Sequence, residues 1–515
     1  QNIEIHDTNL IENWAQSRGN IYLNSNNVDC SMSNMTFIRN RVGRDGAGVG
    51  LVSRNLRLTI ANSTFDSNWA GLSGGSIHSA LMNSEMKIVD SNFSNCSAES
   101  YGGAIYLGPD HVGLEISNSN FMRNSGLAGG AILAARFNLD LAISGCNFDS
   151  NSAQTGGAVS SFADGVKVTQ SHFQRNTAWL SDILRLETQG ATLTELTFEH
   201  NQGGLMGGGG LGIYVSASVE VVRCTFGNNL AGKGAAVYIS ASTQVSLMNV
   251  SVFNNSANND GAIYVTDCSD IQMRFMSFFN NIANENGGAL YLASTSAVNV
   301  TSSIFSGNVV SSGSGSAIFA LAVPALQITC NHFSDNEAMR GAGTVYWVQS
   351  SSMMEPTGLS SETSFAAGIS GSYSNSNSSS SDNWSACPNQ FTDNNKALYG
   401  NFTATEGVAL VIGDHTSESS SSTGYNNSNS NSNSSGGVLH VTSYTDPVPT
   451  FTVELRDYYG QVVTSQFSNF AGISVKQVSE LTCYDSAGYL AGQVVDSFVS
   501  GVATFTALRA FCAPR

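Results

Sequence analysis

The stretch "LEISNSNFMRNSGLAGGAILAA", residues 114–135, decides the fold. Leu114 and Ile116 alternate with Glu115 and Ser117, which is the period of a strand and not of a helix. A Phe-x-x-Asn follows, then a glycine pair, then a second short apolar run. The same order is written again and again along the chain. "LRLTIANSTFDSN" covers 56–68, and the glycine corner returns as "YGGAIYLG" at 101–108, "DGAIYVTD" at 260–267 and "GGALYLAS" at 287–294. The Phe-x-x-Asn element begins at Phe37, Phe65, Phe121, Phe148, Phe173, Phe198, Phe226, Phe278, Phe305, Phe333 and Phe391, with two deviant copies, "FSNC" at Phe93 and "FNNS" at Phe253. From Phe37 to Phe333 the spacing is 25 to 28 residues. A fixed period of that size marks a repeat architecture.

A unit with three short strands cannot bury its own apolar face, whereas stacked units can. The expected fold is all-β: a right-handed parallel β-helix of about 13 coils, a rod on the order of 60 Å long at the strand spacing of ~4.8 Å. In such a rod the glycine pair takes a corner where a Cβ would clash. The phenylalanines stack inside the core, and the asparagine three residues on forms an amide ladder between coils. In "GGAIYL" Ile105 and Leu107 share the core face, so Tyr106 points out. That reading assembles an outward aromatic column from Tyr214, Tyr238, Tyr264, Tyr291, Phe319 and Tyr346. It serves either as a self-stacking ladder that stiffens the sheet or as a contact surface for a neighbouring subunit or for sugar rings.

Composition narrows the function. The 515 residues carry a net charge of −17, yet only 11% are charged, against about a quarter in ordinary proteins. There is no basic patch to release counterions, which excludes nucleic acid and an anionic membrane as partners. No apolar run reaches the ~20 residues of a membrane helix, and Gln1 opens directly into polar sequence, so no leader is expected in this stretch. The nine cysteines are scattered singly, without a CxxC pair, so no zinc site is expected. Twelve N-x-S/T sequons, at Asn34, Asn62, Asn92, Asn95, Asn249, Asn254, Asn299, Asn377, Asn383, Asn401, Asn426 and Asn433, favour an extracellular glycoprotein with some disulfides.

After the coils of residues 1–350 a Ser/Asn-rich insertion covers 351–386, and a last coil resumes over 387–416 at "CPNQFTDNNKALYG". A second Ser/Asn tract at 417–437 is too polar to pack. The period then disappears, and 438–515 alternates with turns at the spacing of a small immunoglobulin-like β-sandwich. Cys330 and Cys387 precede the phenylalanines of consecutive coils and are expected to pair; Cys483 and Cys512 would staple the sandwich.

Repeated GGA[ILV] together with FxxN, over roughly residues 30–400, resembles the chlamydial polymorphic outer-membrane proteins. That resemblance implies a surface-exposed β-helix used in adhesion; the family normally ends in a membrane β-barrel, which nothing here resembles. The layout is also similar to large extracellular proteins of algae and other protists, including flagellar-hair (mastigoneme) and cell-surface proteins, with their Ser/Asn tracts, sequons, "NNKALYGNFTA" in the last coil and an ending like "GVATFTALRAFCAP".

β-Helices also carry polysaccharide lyases and hydrolases, which need clustered carboxylates or a base in one groove. Here Asp66 and Asp149 sit in Phe-x-x-Asn turns of separate coils, and Asp45, Asp164 and Asp260 lie near corners without adjacent partners. "GLSGG" at 71–75 matches a nucleophile elbow by letter, but that motif requires a strand-to-helix turn. "GGLMGGGGLG" at 203–212 lacks the Lys-Ser/Thr of a phosphate loop. His172 and His332 fall in distant coils. No catalytic residue, cofactor or metal is expected. The leading expectation is a rigid structural rod that packs with copies of itself or with other extracellular proteins in a filament, flagellar hair or coat. The alternative is an adhesin or carbohydrate-binding protein, and the remote one a polysaccharide-active enzyme.

Overall fold

A computed structural model describes residues 3–348, 388–392, 394–397, 403–405, 409–413 and short segments between 451 and 511. Each coil contributes one strand to each of three sheets, as in Leu56–Ala61, Thr64–Asp66 and Ile77–Leu81, with a two-residue strand at Trp69–Ala70 on the way to the third. Every strand pairs in parallel with its counterpart one coil away; Thr64 lies opposite Thr36 and Asn92. The three sheets hold 13, 14 and 14 strands, and the chain winds as the expected right-handed parallel β-helix.

Stacking identical units puts identical side chains on top of one another. Phe37, Phe65, Phe93, Phe121, Phe148, Phe173, Phe198 and Phe226 are fully buried and stack at 4.6–4.9 Å with their planes within 8°. One coil breaks the column. Val252, not Phe253, lies between Phe226 and Phe278, and Phe253 turns outward. The outward ring needs room, and Gly227 supplies it: a Cβ there would sit 2.3 Å from the ring.

The asparagine ladder satisfies its buried amides wherever one asparagine stacks on the next. Asn124 donates its side-chain N–H both to Phe93 O and to Asn151 Oδ1, and that oxygen also accepts from the Asn124 backbone N–H. The same three bonds recur at Asn151, Asn176, Asn201 and Asn229. A second ladder, invisible as a motif, climbs the corner before the first sheet: Asn27, Asn55, Asn83, His111 and Asn138 each receive a backbone N–H from the coil before or give one to the coil after. At the glycine corner Gly102 has φ +59°, and a Cβ on it would lie 2.1 Å from Ile105 O.

Left-handed residues recur at the same turn positions coil after coil, as in Asn62, Asp90 and Asn118, then Ser67, Asn95 and Arg123. This explains the wealth of Asn, Asp and Ser, which tolerate that conformation better than other side chains. Sequon residues Asn34, Asn62, Asn95, Asn249 and Asn254 occupy these turns and are exposed. Asn92 is half-buried in a strand, and Asn299 lies along the first sheet between Gln272 and Gln327. Asn377, Asn383, Asn401, Asn426 and Asn433 lie outside the described residues.

Cys30, Cys96, Cys146, Cys224 and Cys268 are single buried thiols. The expected disulfide partners Cys387, Cys483 and Cys512 lie outside the described residues. So do both Ser/Asn tracts. The coil resumes beyond the first tract: Phe391 stacks on Phe333 at 4.6 Å, and Asn395 accepts from Asn336. Among the described residues Thr403–Thr405 is the last strand to pair in parallel with a coil, at Val345–Val348, whereas Ala409–Gly413, within the stretch expected to form the last coil, pairs antiparallel with Phe451–Arg456, which in turn pairs with Val502–Phe505. Chain reversal needs only a tight connection in an antiparallel pair, so the run leaves the solenoid as soon as its direction changes.

Candidate functional site

The outer face of the third sheet gathers the side chains with the most chemistry. Its strands alternate, so the residue between two core positions points out. In the second half of the rod that outward column reads Tyr238, Tyr264, Tyr291, Phe319 and Tyr346 in register. Tyr214 is not in that register. Gly212 pairs with Tyr238, and Tyr214 pairs with Ser240, two positions further along the strand. The vacated place is filled by the carboxylate of Asp182, whose Cγ lies 2.1 Å from where a Cβ on Gly212 would be.

The ladder geometry limits what it can bind. Tyr238 and Tyr264 lie 5.3 Å apart at 2°, Tyr264 and Tyr291 4.7 Å at 3°, Tyr291 and Phe319 5.2 Å at 6°, Phe319 and Tyr346 5.5 Å at 13°. The rings therefore cover one another's faces and offer only edges and hydroxyls to solvent. Both ends are closed. The Arg185 guanidinium carbon sits 4.2 Å from the centre of the Tyr214 ring, which leans against Tyr238 at 5.4 Å. At the other end Phe319 and Tyr346 pack with Val453, Leu455 and Phe505 of the C-terminal sheet and with Val463 after its central strand, and Gln461 donates to Thr403 O at 2.6 Å. Burial raises the phenol pKa values of Tyr214, Tyr238, Tyr264 and Tyr291, so these hydroxyls stay neutral.

Ahead of the ladder the column changes to a charged step. Two guanidiniums grip one carboxylate: Arg136 Nη2 lies 2.9 Å from Glu187 Oε2, and Arg185 Nη2 2.7 Å from Glu187 Oε1. Arg136 also lies over the Phe162 ring at 5.5 Å. Asp182, wholly buried, accepts from the Tyr214 hydroxyl at 2.7 Å and from the Gly208 N–H; burial pushes its carboxyl up to about 7 against the pull of those two donors. The hydroxyls of Ser160 and Ser181 beside this cluster are buried without a hydrogen-bond partner. Ser160 pairs with Arg185 across the sheet. On the coil of Arg185, Trp179 is 72% exposed, and on the next coil Leu205 and Met206 stand out from the glycine-rich loop. Toward the other end His78 stacks on Tyr106 at 5.1 Å with Asp45 Oδ1 3.8 Å from its Nε2.

The acids noted in the sequence hold turns. Asp66 accepts from Ser94 and Asn95, Asp149 pairs with Arg175, Asp164 accepts from the Gln189 N–H, and Asp260 accepts from Asn286. Asp182, Arg185 and Glu187 belong to no motif, so the sequence pattern does not single out the charged step. Its signal was a departure: "WLSDILRLET" writes Ser-Asp where other coils write a glycine pair. Among the described residues no group of three or more His, Cys, Asp or Glu is placed to hold a metal ion, and no helix is long and apolar enough to cross a membrane.

The fold and this face define a β-helix repeat protein. The family model for the right-handed β-helix region matches residues 130–305 and 182–357. Similar solved structures include the A-modules of two mannuronan C-5 epimerases of Azotobacter vinelandii. One is 12% identical, covering 64% of this chain and 87% of that one at a TM-score of 0.39. The other is 11% identical, covering 64% and 91% at 0.33. A mutant tailspike protein of E. coli bacteriophage HK620 in complex with a hexasaccharide is 9% identical, covering 100% and 84% at 0.35. Comparison with curated protein sequences gives no match.

Proposed function

We propose that this chain is a glycan-binding surface protein whose rigid rod presents a site on the outer face of the third sheet. The charged step carries the reading. Arg136, Glu187, Arg185 and Tyr214 are planar polar groups oriented by ion pairs and rings, and Trp179 on the same coil offers an exposed ring. A few placed polar groups beside an apolar surface are what a sugar requires. The parallel sheet holds the backbone still, so binding forfeits little conformational freedom. The reading is one of binding, with no bond-making step, and it sets the chain outside the cell, where the exposed sequon turns would carry glycans.

The reading places no sugar stacking on the tyrosine column, whose ring faces cover one another. The test follows from that. Saturable binding of the intact chain to at least one class of glycan, weakened about tenfold by Trp179→Ala, supports the site. Tyr264→Ala should lower thermal stability and leave affinity unchanged. Loss of affinity in Tyr264→Ala with Trp179→Ala behaving as wild type would move the site to the ladder.

The rod-assembly reading rests on a different observation. Leu205 and Met206 are about 70% exposed, with Met206 bonded through its N–H to the exposed Leu180 of the coil before, an apolar corner suited to lateral packing of copies. Sedimentation of Leu205→Ser/Met206→Ser against wild type tests it; an unchanged oligomeric state would remove it.

A further inference from the structure

We propose that the step formed by Arg136, Arg185 and Glu187 is a subsite for the carboxylate of an acidic sugar, a hexuronate unit within a polysaccharide. This rests on the glycan-binding reading and gives it a substrate class.

The charge count comes first. The chain as a whole is at −17, so an anion approaching it needs a local reversal of sign. Arg136, Arg185 and Glu187 together carry +1, and the carboxyl of Asp182 below them is held largely neutral under pH 7 by its burial. The two guanidiniums are also fixed in orientation. Arg136 lies over Phe162, Arg185 over Tyr214, and each gives one N–H to Glu187. A guanidinium has five N–H donors in a planar fork that matches a carboxylate bidentately. The exposed one is Arg136, with 68% of its side chain in solvent, and it is the natural first contact.

The second observation is independent of charge. Buried hydroxyls almost always have a partner, yet Ser160 and Ser181 have none. They flank the step: Ser160 is the strand neighbour of Arg185, and Ser181 precedes Asp182. A polar ligand or the water it traps would satisfy them. The third observation is Trp179. Trp179 lies on the corner that leads into the Arg185 strand and is open to solvent, so another unit of the same polysaccharide can lie against it. The adjoining ladder adds a row of phenol edges along which an extended polymer can continue.

The probes are oligomers of mannuronate, guluronate and galacturonate, each paired with its carboxyl-reduced neutral counterpart, titrated into the intact chain. The expected result is binding of at least one hexuronate oligomer, weakened about tenfold or more by Arg136→Gln, by carboxyl reduction and by raised salt. Arg175→Gln, an exposed arginine in a turn, controls for bulk charge and should leave affinity unchanged. If a neutral counterpart binds as tightly as its acid and Arg136→Gln is silent, the acidic subsite is wrong while glycan binding stands. If Arg175→Gln weakens binding as much as Arg136→Gln, the attraction is diffuse and the subsite is likewise wrong. If no oligomer of either kind binds, the acidic subsite falls, and the glycan-binding reading falls with it only when the intact chain binds no other class of glycan either.

Discussion

Two buried residues set opposite slopes on the stability of the rod against pH. Asp182 has its carboxyl pushed up to about 7, chiefly by burial, whereas an unfolded Asp titrates near 3.9. A raised acid favours folding below its unfolded value and loses that contribution as pH climbs through the folded one. His111 is the reverse. It takes an asparagine's place in the corner ladder, accepting from the Asn83 N–H at Nδ1 and donating from Nε2 to Ser79 O, and burial pushes it down to about 4. Its contribution is present above about 6.5 and is lost as pH falls toward 4. The two windows overlap between about pH 4 and 6.5, where the opposite slopes largely offset each other, so each variant should unmask the other residue. Asp182→Asn, which keeps an acceptor for the Tyr214 hydroxyl without the charge, should leave melts that rise with pH from about 4 to 6.5, a change worth roughly a few kcal/mol. His111→Asn, the ladder's usual residue, should leave melts that fall with pH from about 4 to 7. Melts of Asp182→Asn that keep the wild-type pH dependence between about 4 and 7 would show that other groups govern it.

At the scale of the element, the ladder explains both what could be read in advance and where reading failed. The phenylalanine and asparagine columns were legible because stacking gives each coil the same neighbours, so the same residues recur at a countable period. The errors were errors of register. In "FNNS" the motif was aligned by its phenylalanine, but the core position is Val252 and the ladder position Asn255. A slip of one residue exchanges the two faces of a strand, which put Phe253 inside instead of outside. In "LGIYV" the alignment by tyrosine slipped by two, which preserves the face and shifts the position; Tyr214 thus points out but leaves its place to Asp182. The corner ladder and the charged step were not legible, since each mixes residue types and only the stacking brings them together. The one copy of Phe-x-x-Asn that ends in cysteine yields a prediction. Asn68 faces Cys96, whose Sγ donates weakly to Phe65 O at 3.4 Å where every neighbouring coil has a full amide. Cys96→Asn supplies an Oδ1 to the Asn68 backbone and side-chain N–H groups and a proper donor to Phe65 O. It should raise stability by about 1 kcal/mol, read as a higher melting temperature; a fall would mean that the smaller thiol is there for want of space beside Ser76, its own donor at 3.0 Å.

In the whole molecule each coil touches mainly its neighbours, so the rod can open locally where a single-core domain cannot. The C-terminal sheet is attached to it differently, through side chains and not through the ladder. Val453, Leu455, Val463 and Phe505 lie on Phe319 and Tyr346, which makes the last part of the aromatic column an internal seat and leaves only its earlier part to the outside. Phe505 is fully buried and belongs to the sheet, not to any coil. Phe505→Ala should cost about 3–5 kcal/mol at that contact and almost none of it should reach the coils. Hydrogen exchange is the measurement. Faster exchange is expected in Phe451–Arg456 and Val502–Phe505, with protection retained in the third-sheet strands from Ile263–Thr266 back toward the first coil. If protection falls together along the rod as well, the sheet is not an attachment but a clamp on which the folding of the last coils depends, and the solenoid must be treated as one cooperative unit with its C-terminal sheet.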